Sequence, residues 1–253
     1  YFAGANRNKR SVTLNLSDPE GQALARRLLA DSDILVENFK TGTLEKYGLG
    51  YEQLKAEFPK LIYCSITGFG QTGPYAARPG YDALVQAMGG VMSLTGDPAG
   101  EPMKIGVSIA DLMSGMYAGV SILAAVNHQR NTGKGQHIDI SMLDTHVAWL
   151  ANQGMNYLAT GDVPERLGNN HPNIVPYQVM PSADGYFVLS VGNDPTFERF
   201  CEVAGCQNLL EDARFNKAVE RVRIRDHVTE TLNEITRQHP SAWWLEALEK
   251  AKI

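Results

Sequence analysis

Only three cysteines, Cys64, Cys201 and Cys206, occur in the 253 residues, and they lack the paired spacings of a disulfide framework or a zinc site. That excludes a small disulfide-stapled scaffold and leaves reduced thiols in an intracellular protein as the expectation. No apolar run is long enough to cross a bilayer; the longest, residues 116–126, follows Asp111 and reads as a buried helix. Positive charge is also scarce: the formal net charge is -5 and the pI near 5.7, which gives no overall field for nucleic acid. There is no internal repeat, no low-complexity tract and no G-x-S-x-G string, and Cys64 falls within a predicted buried strand, so serine or cysteine nucleophile chemistry has no starting point. The chain opens on Tyr1-Phe2 without a methionine and stops inside a helical pattern at Lys252-Ile253, so a piece of a longer protein is expected.

What is present is a globular composition, 43% hydrophobic and 20% charged, enough for one large core or two modest ones. Residues 11–16 alternate and are β-branched, and Ser17-Asp-Pro-Glu20 supplies a capping box before helical spacing over 22–30. Residues 34–36 and 61–66 are short apolar runs separated by a helix-like 51–57. Strand, helix, strand, helix, strand is the rhythm of a doubly wound, mostly parallel, Rossmann-like α/β sheet. Helical spacing follows over 82–92, 109–129 and 142–158, with a strand-like 136–140 between the last two. From Ile174 the pattern becomes strand-like over 175–180 and 186–191, joined by the hairpin signal Ser182-Ala-Asp-Gly185, and helices are expected over 196–204, 219–238 and 241–251. The expected division is therefore a large α/β domain over 1–173 and a smaller α+β domain over 174–253.

Gly68-Phe-Gly70-Gln-Thr-Gly73 follows a predicted strand and matches a dinucleotide fingerprint, but Pro74 and the Tyr-Ala-Ala-Arg-Pro-Gly that follows prevent the helix whose N-terminus should face a pyrophosphate. A glycine-rich loop is the better reading. Arg7, Lys9 and Arg10 form a basic stretch, and Lys40 and Lys46 lie on a loop with Asn38 and Phe39. Such a cationic loop with an aromatic ring, at the end of a parallel strand, suits a phosphorylated nucleotide. His137, His146 and His171, with Asp139 and Asp144, have no recognised metal spacing, and no metal is expected. Asp144 stands three positions after Ser141, where a strand gives way to a helix, and reads by itself as part of a capping box.

Asn6-Arg-Asn-Lys-Arg-Ser11, Val36-Glu-Asn-Phe39, Gly80-Tyr-Asp82, Thr132-Gly-Lys-Gly-Gln136 and Asp139-Ile-Ser-Met-Leu-Asp144, in this order, resemble the class III CoA-transferases, the family of formyl-CoA and carnitine CoA-transferases. The resemblance implies an interlaced homodimer, a cytoplasmic enzyme (mitochondrial in a eukaryote), coenzyme A as substrate, and no metal or redox cofactor. It assigns Asp144 as the carboxylate that attacks the donor thioester and carries CoA as an aspartyl thioester. It also implies CoA contacts at Leu14, Asn38, Phe39, Lys46, Tyr47, Gly80, Tyr81 and Asp82. Lys46 stands where relatives often have arginine, which keeps the charge but loses the bidentate fork, and Ser17 where some have lysine. The family also contains α-methylacyl-CoA racemases, which place a histidine where this chain has Tyr81; tyrosine, with a pKa near 10, is a poor general base at neutral pH. Ile62-Tyr-Cys-Ser-Ile-Thr-Gly-Phe-Gly-Gln-Thr-Gly73 looks like the branch that uses dicarboxylates, with succinyl-CoA as a donor.

Overall fold

The computed structural model of the chain describes residues 2–253. Two compact units divide it: residues 1–93 with 103–155, and residues 94–102 with 156–253. The change of pattern at Ile174 falls inside the second unit, just before its hairpin.

In the first unit, helix α1 (Pro19–Ala30) starts on Asp18, whose carboxylate accepts the Glu20 amide at 2.9 Å, with Pro19 in the first turn. Then come β1 (Ile34–Glu37), the short α2 (Tyr51–Leu54) and β2 (Ile62–Thr67). Beyond a long loop lie α3 (Asp82–Met88), the 24-residue α4 (Ile109–Thr132), β3 (His137–Ser141) and α5 (Met142–Val147). The three strands form a parallel sheet in the order β1-β2-β3, with Cys64 opposite both Val36 and Ile138. Alternation along β2 sends its side chains to two cores. Leu61 and Tyr63 pack with Leu29, Leu44, Leu49 and Leu54, whereas Ile62 and Cys64 pack with Ala118, Ala125, Ile138 and Ile140. Leu54 is fully buried, a burial that contributes about 1.5–3 kcal/mol. The mixed α/β architecture with a parallel sheet is thus as the sequence indicates.

Helix α4 is, by length and composition, the one described helix apolar enough to cross a membrane. Its small residues Ala118 and Ala125 lie on the sheet instead, while Leu112, Met116, Val120 and Leu123 form an exposed apolar stripe.

One expected strand is absent. Residues 11–16 have no ladder: β1 pairs only with β2, and the Asn15 carbonyl turns the chain by accepting the Asp18 amide at 3.1 Å. Alternating side chains without an adjacent strand cannot satisfy the backbone as a sheet. The helix expected over 142–158 is broken at Ala151, whose φ is 44°, after which α6 (Ala151–Thr160) begins.

The second unit holds the antiparallel hairpin β4 (Tyr177–Pro181) and β5 (Tyr186–Ser190), closed by the Ser182 amide on the Gly185 carbonyl at 2.8 Å. Helices α7 (Asp194–Ala204), α8 (Ala218–Arg223), α9 (Arg225–Thr236) and α10 (Ser241–Lys250) complete it. Trp244, Phe187, Phe200 and Phe197 form the aromatic centre of its core. The Arg221 side chain is fully buried there: it donates to the Val175 carbonyl at 2.8 Å and the Phe215 carbonyl at 2.7 Å, pairs with Asp194 at 3.1 Å, and lies over Phe197.

Candidate active site

The carboxyl ends of β1 and β2 release two loops that face each other, the place where an open parallel sheet offers a crevice. The first, residues 38–41, is fixed at its start by the Phe39 amide on the Glu37 carboxylate at 2.8 Å and by the Asn38 amide group on the Ile66 carbonyl. The second, residues 67–81, is the glycine-rich stretch. Gly70 and Gly73 have φ of 83° and 92°, values that favour glycine. The Gly70 amide donates to Thr67 Oγ1 at 3.0 Å, the Gln71 amide to Asp139 Oδ2 at 2.9 Å, and the Leu143 amide to the Gly68 carbonyl at 3.1 Å. Pro74 is followed by turns, as expected, and no helix starts there.

The two ends of this loop cross at Gly68 and Gly80. A Cβ on Gly80 would stand 2.3 Å from the Gly68 Cα, and one on Gly68 would stand 2.4 Å from the Gly80 Cα, so only glycine allows the approach. Between the loops lies a cleft of about 200 Å³, lined by Asn38, Phe39, Lys40, Arg78, Gly80 and Tyr81 among others. Arg78 rests over the Tyr75 ring at 4.2 Å, and neither it nor Lys40 is in an ion pair with a carboxylate among the described residues. Two uncompensated cations beside the half-exposed ring of Phe39 suit an anionic ligand with a flat group, and the volume holds a part of CoA, not the whole.

Of the residues expected from the sequence, the cleft unites Asn38, Phe39, Gly80 and Tyr81. Leu14, Lys46 and Tyr47 do not line it. Lys46 and Tyr47 are on the one-turn helix Glu45–Tyr47, where the Ser17 hydroxyl meets the Tyr47 hydroxyl at 3.4 Å. Asp82 follows Tyr81 directly, but its carboxylate is engaged by protein: Oδ1 accepts the Ala110 amide at 2.8 Å and Oδ2 accepts the Gln86 side chain at 2.7 Å. Asp144 is exposed on the first turn of α5, its amide donating to Ser141 Oγ at 3.2 Å, and it does not line the cleft. Helix capping is what the structure shows for that segment.

Lys40 lines the cleft as its cationic loop suggested, whereas Arg78, also in the lining, and Asp111 were not singled out by sequence reading. Asp111 is in the first turn of α4, next to the Ala110 amide that Asp82 holds. Burial, and then the negative charge of Asp82, push its carboxyl above the usual carboxylate value. The histidines are dispersed: His137 meets Ser65 Oγ at 3.0 Å, His171 stacks on Tyr177, and His146 is fully buried. No group of three or more metal-ligating side chains occurs among the described residues.

The model of CoA-transferase family III matches residues 1–253. The succinate–glutarate CoA-transferase of Agrobacterium fabrum is 53% identical over 237 residues, covering 92% of this chain and 59% of that protein. The acetyl-CoA:oxalate CoA-transferase of Acetobacter aceti is 40% identical over 254 residues, covering 100% of this chain and 65% of its own length. Among solved structures, a CAIB/BAIF family protein from Brucella suis superposes with a TM-score of 0.80 at 50% identity, over 97% of this chain and 65% of that one. A parallel α/β unit with a cationic cleft at the carboxyl ends of its strands, and these relatives, define the class: the chain belongs to CoA-transferase family III. It spans less than two thirds of the length of these relatives.

Proposed function

We propose that the whole protein transfers coenzyme A from an acyl-CoA donor to a small carboxylic acid, and that a carboxylate of this chain carries the acyl exchange. The observation that carries the reading is the junction beside the cleft. The Leu143 amide, next to Asp144 in the first turn of α5, donates to the carbonyl of Gly68, which lines the cleft and crosses Gly80, so the aspartate that the family resemblance assigns stands beside the loop crossing. This supports Asp144, exposed on the first turn of α5, as the nucleophile. The names of relatives, which include succinate–glutarate and acetyl-CoA:oxalate transferases, favour dicarboxylic acids as substrates.

In this reaction the aspartate carboxylate attacks the donor thioester carbonyl, expelling CoA thiolate and leaving a mixed anhydride. The thiolate attacks the aspartyl carbonyl of the anhydride, which releases the donor acid and forms an aspartyl-CoA thioester. The acceptor carboxylate displaces thiolate to give a second anhydride, and thiolate then takes the acceptor acyl group and restores the aspartate. Covalent catalysis divides one difficult exchange into steps that conserve the thioester's energy, and no metal or redox centre takes part. Lys40 and Arg78 are assigned to CoA phosphates, Asn38 and Phe39 to the nucleotide end, and Gly80 and Tyr81 to the thioester end; Leu14, Lys46 and Tyr47 complete the CoA contacts expected from the family. The exposed apolar stripe of α4 supports burial of this face in a homodimer.

The test is a screen of acyl-CoA donors against carboxylic acid acceptors on the whole protein, with CoA exchange followed by mass spectrometry. Exchange onto a dicarboxylic acid supports the reading. Deuterium entering the α-carbon of a 2-methylacyl-CoA, with no exchange, would place the protein with the racemases.

A further inference from the structure

Asp139 is the middle residue of β3, a setting in which aspartate is disfavoured, and its carboxylate is in no ion pair among the described residues. What it holds is the glycine-rich loop: its Oδ2 accepts the Gln71 amide at 2.9 Å. Alternation along β3 puts Ser141, the residue opposite Thr67 of β2, on the same face of the sheet as Asp139. The loop passes closely over that face. A Cβ on Gly70, whose φ is 83°, would stand 3.5 Å from Asp139 Oδ2 and 3.6 Å from the Ser141 Cβ. The Gly70 amide donates to Thr67 Oγ1 at 3.0 Å, and the Gly68 carbonyl accepts the Leu143 amide at 3.1 Å. Residues 68–71 are therefore fastened at both ends to the segment that carries Asp144, at Gly68 by Leu143, the residue before it, and at Gln71 by Asp139, five positions before it. Ser141 Oγ, which accepts the Asp144 amide at 3.2 Å, joins the strand end to the helix start.

We propose that Asp139 is a positioning residue for CoA exchange: it clamps the glycine-rich loop to the strand-helix turn that bears Asp144, so that the nucleophile and the cleft wall formed by Thr67, Gly68, Gly80 and Tyr81 keep one spacing. This deepens the proposed function and rests on Asp144 as the nucleophile. The role needs an acceptor, not a charge. Asp139 is exposed and its Oδ1 has no partner among the described residues, so an asparagine at that position can accept the Gln71 amide through its oxygen and turn its NH2 to water. The opposite wall of the cleft does not depend on Asp139, because residues 38–41 are fixed by the Glu37 carboxylate and the Ile66 carbonyl. Releasing Gln71 should thus disturb the alignment of thioester and nucleophile more than it disturbs binding of the nucleotide end of the donor.

The experiment uses the whole protein as wild type, Asp139→Ala, Asp139→Asn and Asp144→Asn, with succinyl-CoA and a dicarboxylic acid acceptor, and reads kcat and donor KM for CoA exchange together with hydrogen exchange of the Gln71 amide. In Asp139→Ala kcat should fall roughly tenfold or more while donor KM changes less than about threefold, and the Gln71 amide should lose its protection. Asp139→Asn should restore that protection and bring kcat back to within about threefold of wild type. Wild-type kcat in Asp139→Ala would overturn the proposal, as would a donor KM that rises as much as kcat falls, the mark of general loosening. Asp139→Asn as slow as Asp139→Ala would overturn it too, by showing that the charge and not the acceptor matters. Should Asp139→Ala be too unstable to assay, Asp139→Asn and the exchange data decide alone: a Gln71 amide unprotected in the wild type, or Asp139→Asn slowed tenfold, would overturn the role. Full CoA exchange by Asp144→Asn is a separate failure, that of the nucleophile reading on which the role rests.

Discussion

Replacing Gly80 by alanine perturbs the site without touching a polar group. The added Cβ would stand 2.3 Å from the Gly68 Cα, where carbon atoms normally approach to about 3.5–4.0 Å, so the deficit exceeds about 1 Å. The neighbour is backbone and cannot rotate away, and its carbonyl is held by the Leu143 amide at 3.1 Å. The crossing must open by about 1 Å, at an overpacking cost of about 1–3 kcal/mol. Gly80 and Tyr81 would move by a similar distance from Asn38 and Phe39 across the cleft, and an error of that size costs on the order of 100-fold in rate. Gly80→Ala should therefore lose roughly 100-fold in kcat/KM for CoA exchange, with a modest drop in melting temperature. Gly106→Ala, where an added Cβ meets nothing within 4 Å, should change neither. A Gly80→Ala protein with activity within about twofold of wild type would refute the crossing as a determinant of the site.

Other consequences are as direct. Arg221→Ala leaves two backbone carbonyls and Asp194 without their buried partner and should destabilise the second unit by about 3–5 kcal/mol, lowering the urea midpoint seen by Trp244 fluorescence by about 2 M; a shift below about 0.3 M would contradict this. Burial lowers the His146 pKa below its usual value, and neither ring nitrogen has a partner. The unfolded chain thus binds the proton more tightly, so stability is complete above about pH 6.5 and is lost as pH falls toward the lower folded value. His146→Leu should flatten that part of a melting-temperature profile, and an unchanged slope would exclude His146 as its source. Arg78→Ala and Lys40→Ala should each weaken CoA binding by roughly tenfold in calorimetry, an effect that shrinks in high salt; unchanged affinity in both would remove the phosphate assignment.

The sheet was legible because residues 34–36 and 61–66 are short apolar runs, the second buried on both faces between two layers, and because Ser17-Asp-Pro-Glu20 marks the start of α1, although Asp18 and not Ser17 caps it. Residues 11–16 misled: their alternation states which faces differ, but a strand also needs an adjacent ladder, which no local pattern reveals. The break at Ala151 was hidden for a related reason, since alanine is a strong helix former and its positive φ is imposed by context. At the site, Asn38, Phe39, Gly80 and Tyr81 were readable from short motifs. Arg78 stood beside Gly80 in the same string but meets Lys40 only when the two loops face each other. Asp144 was readable only through the resemblance, since an acid in a first helical turn, like Asp111 in α4, is otherwise explained by the helix dipole. What the fold adds is the Leu143 amide on the Gly68 carbonyl, which ties the Asp144 turn to the glycine-rich loop 75 positions before it.

The central claim is that a carboxylate of this chain holds CoA during turnover, and trapping tests it most directly. The whole protein would be incubated with succinyl-CoA and hydroxylamine, digested, and searched by mass spectrometry for an aspartyl hydroxamate. The expected result is a hydroxamate on the peptide containing Asp144, absent without acyl-CoA and absent from Asp144→Asn. Continued CoA exchange by Asp144→Asn, or a hydroxamate on another aspartate such as Asp111, would contradict the assignment.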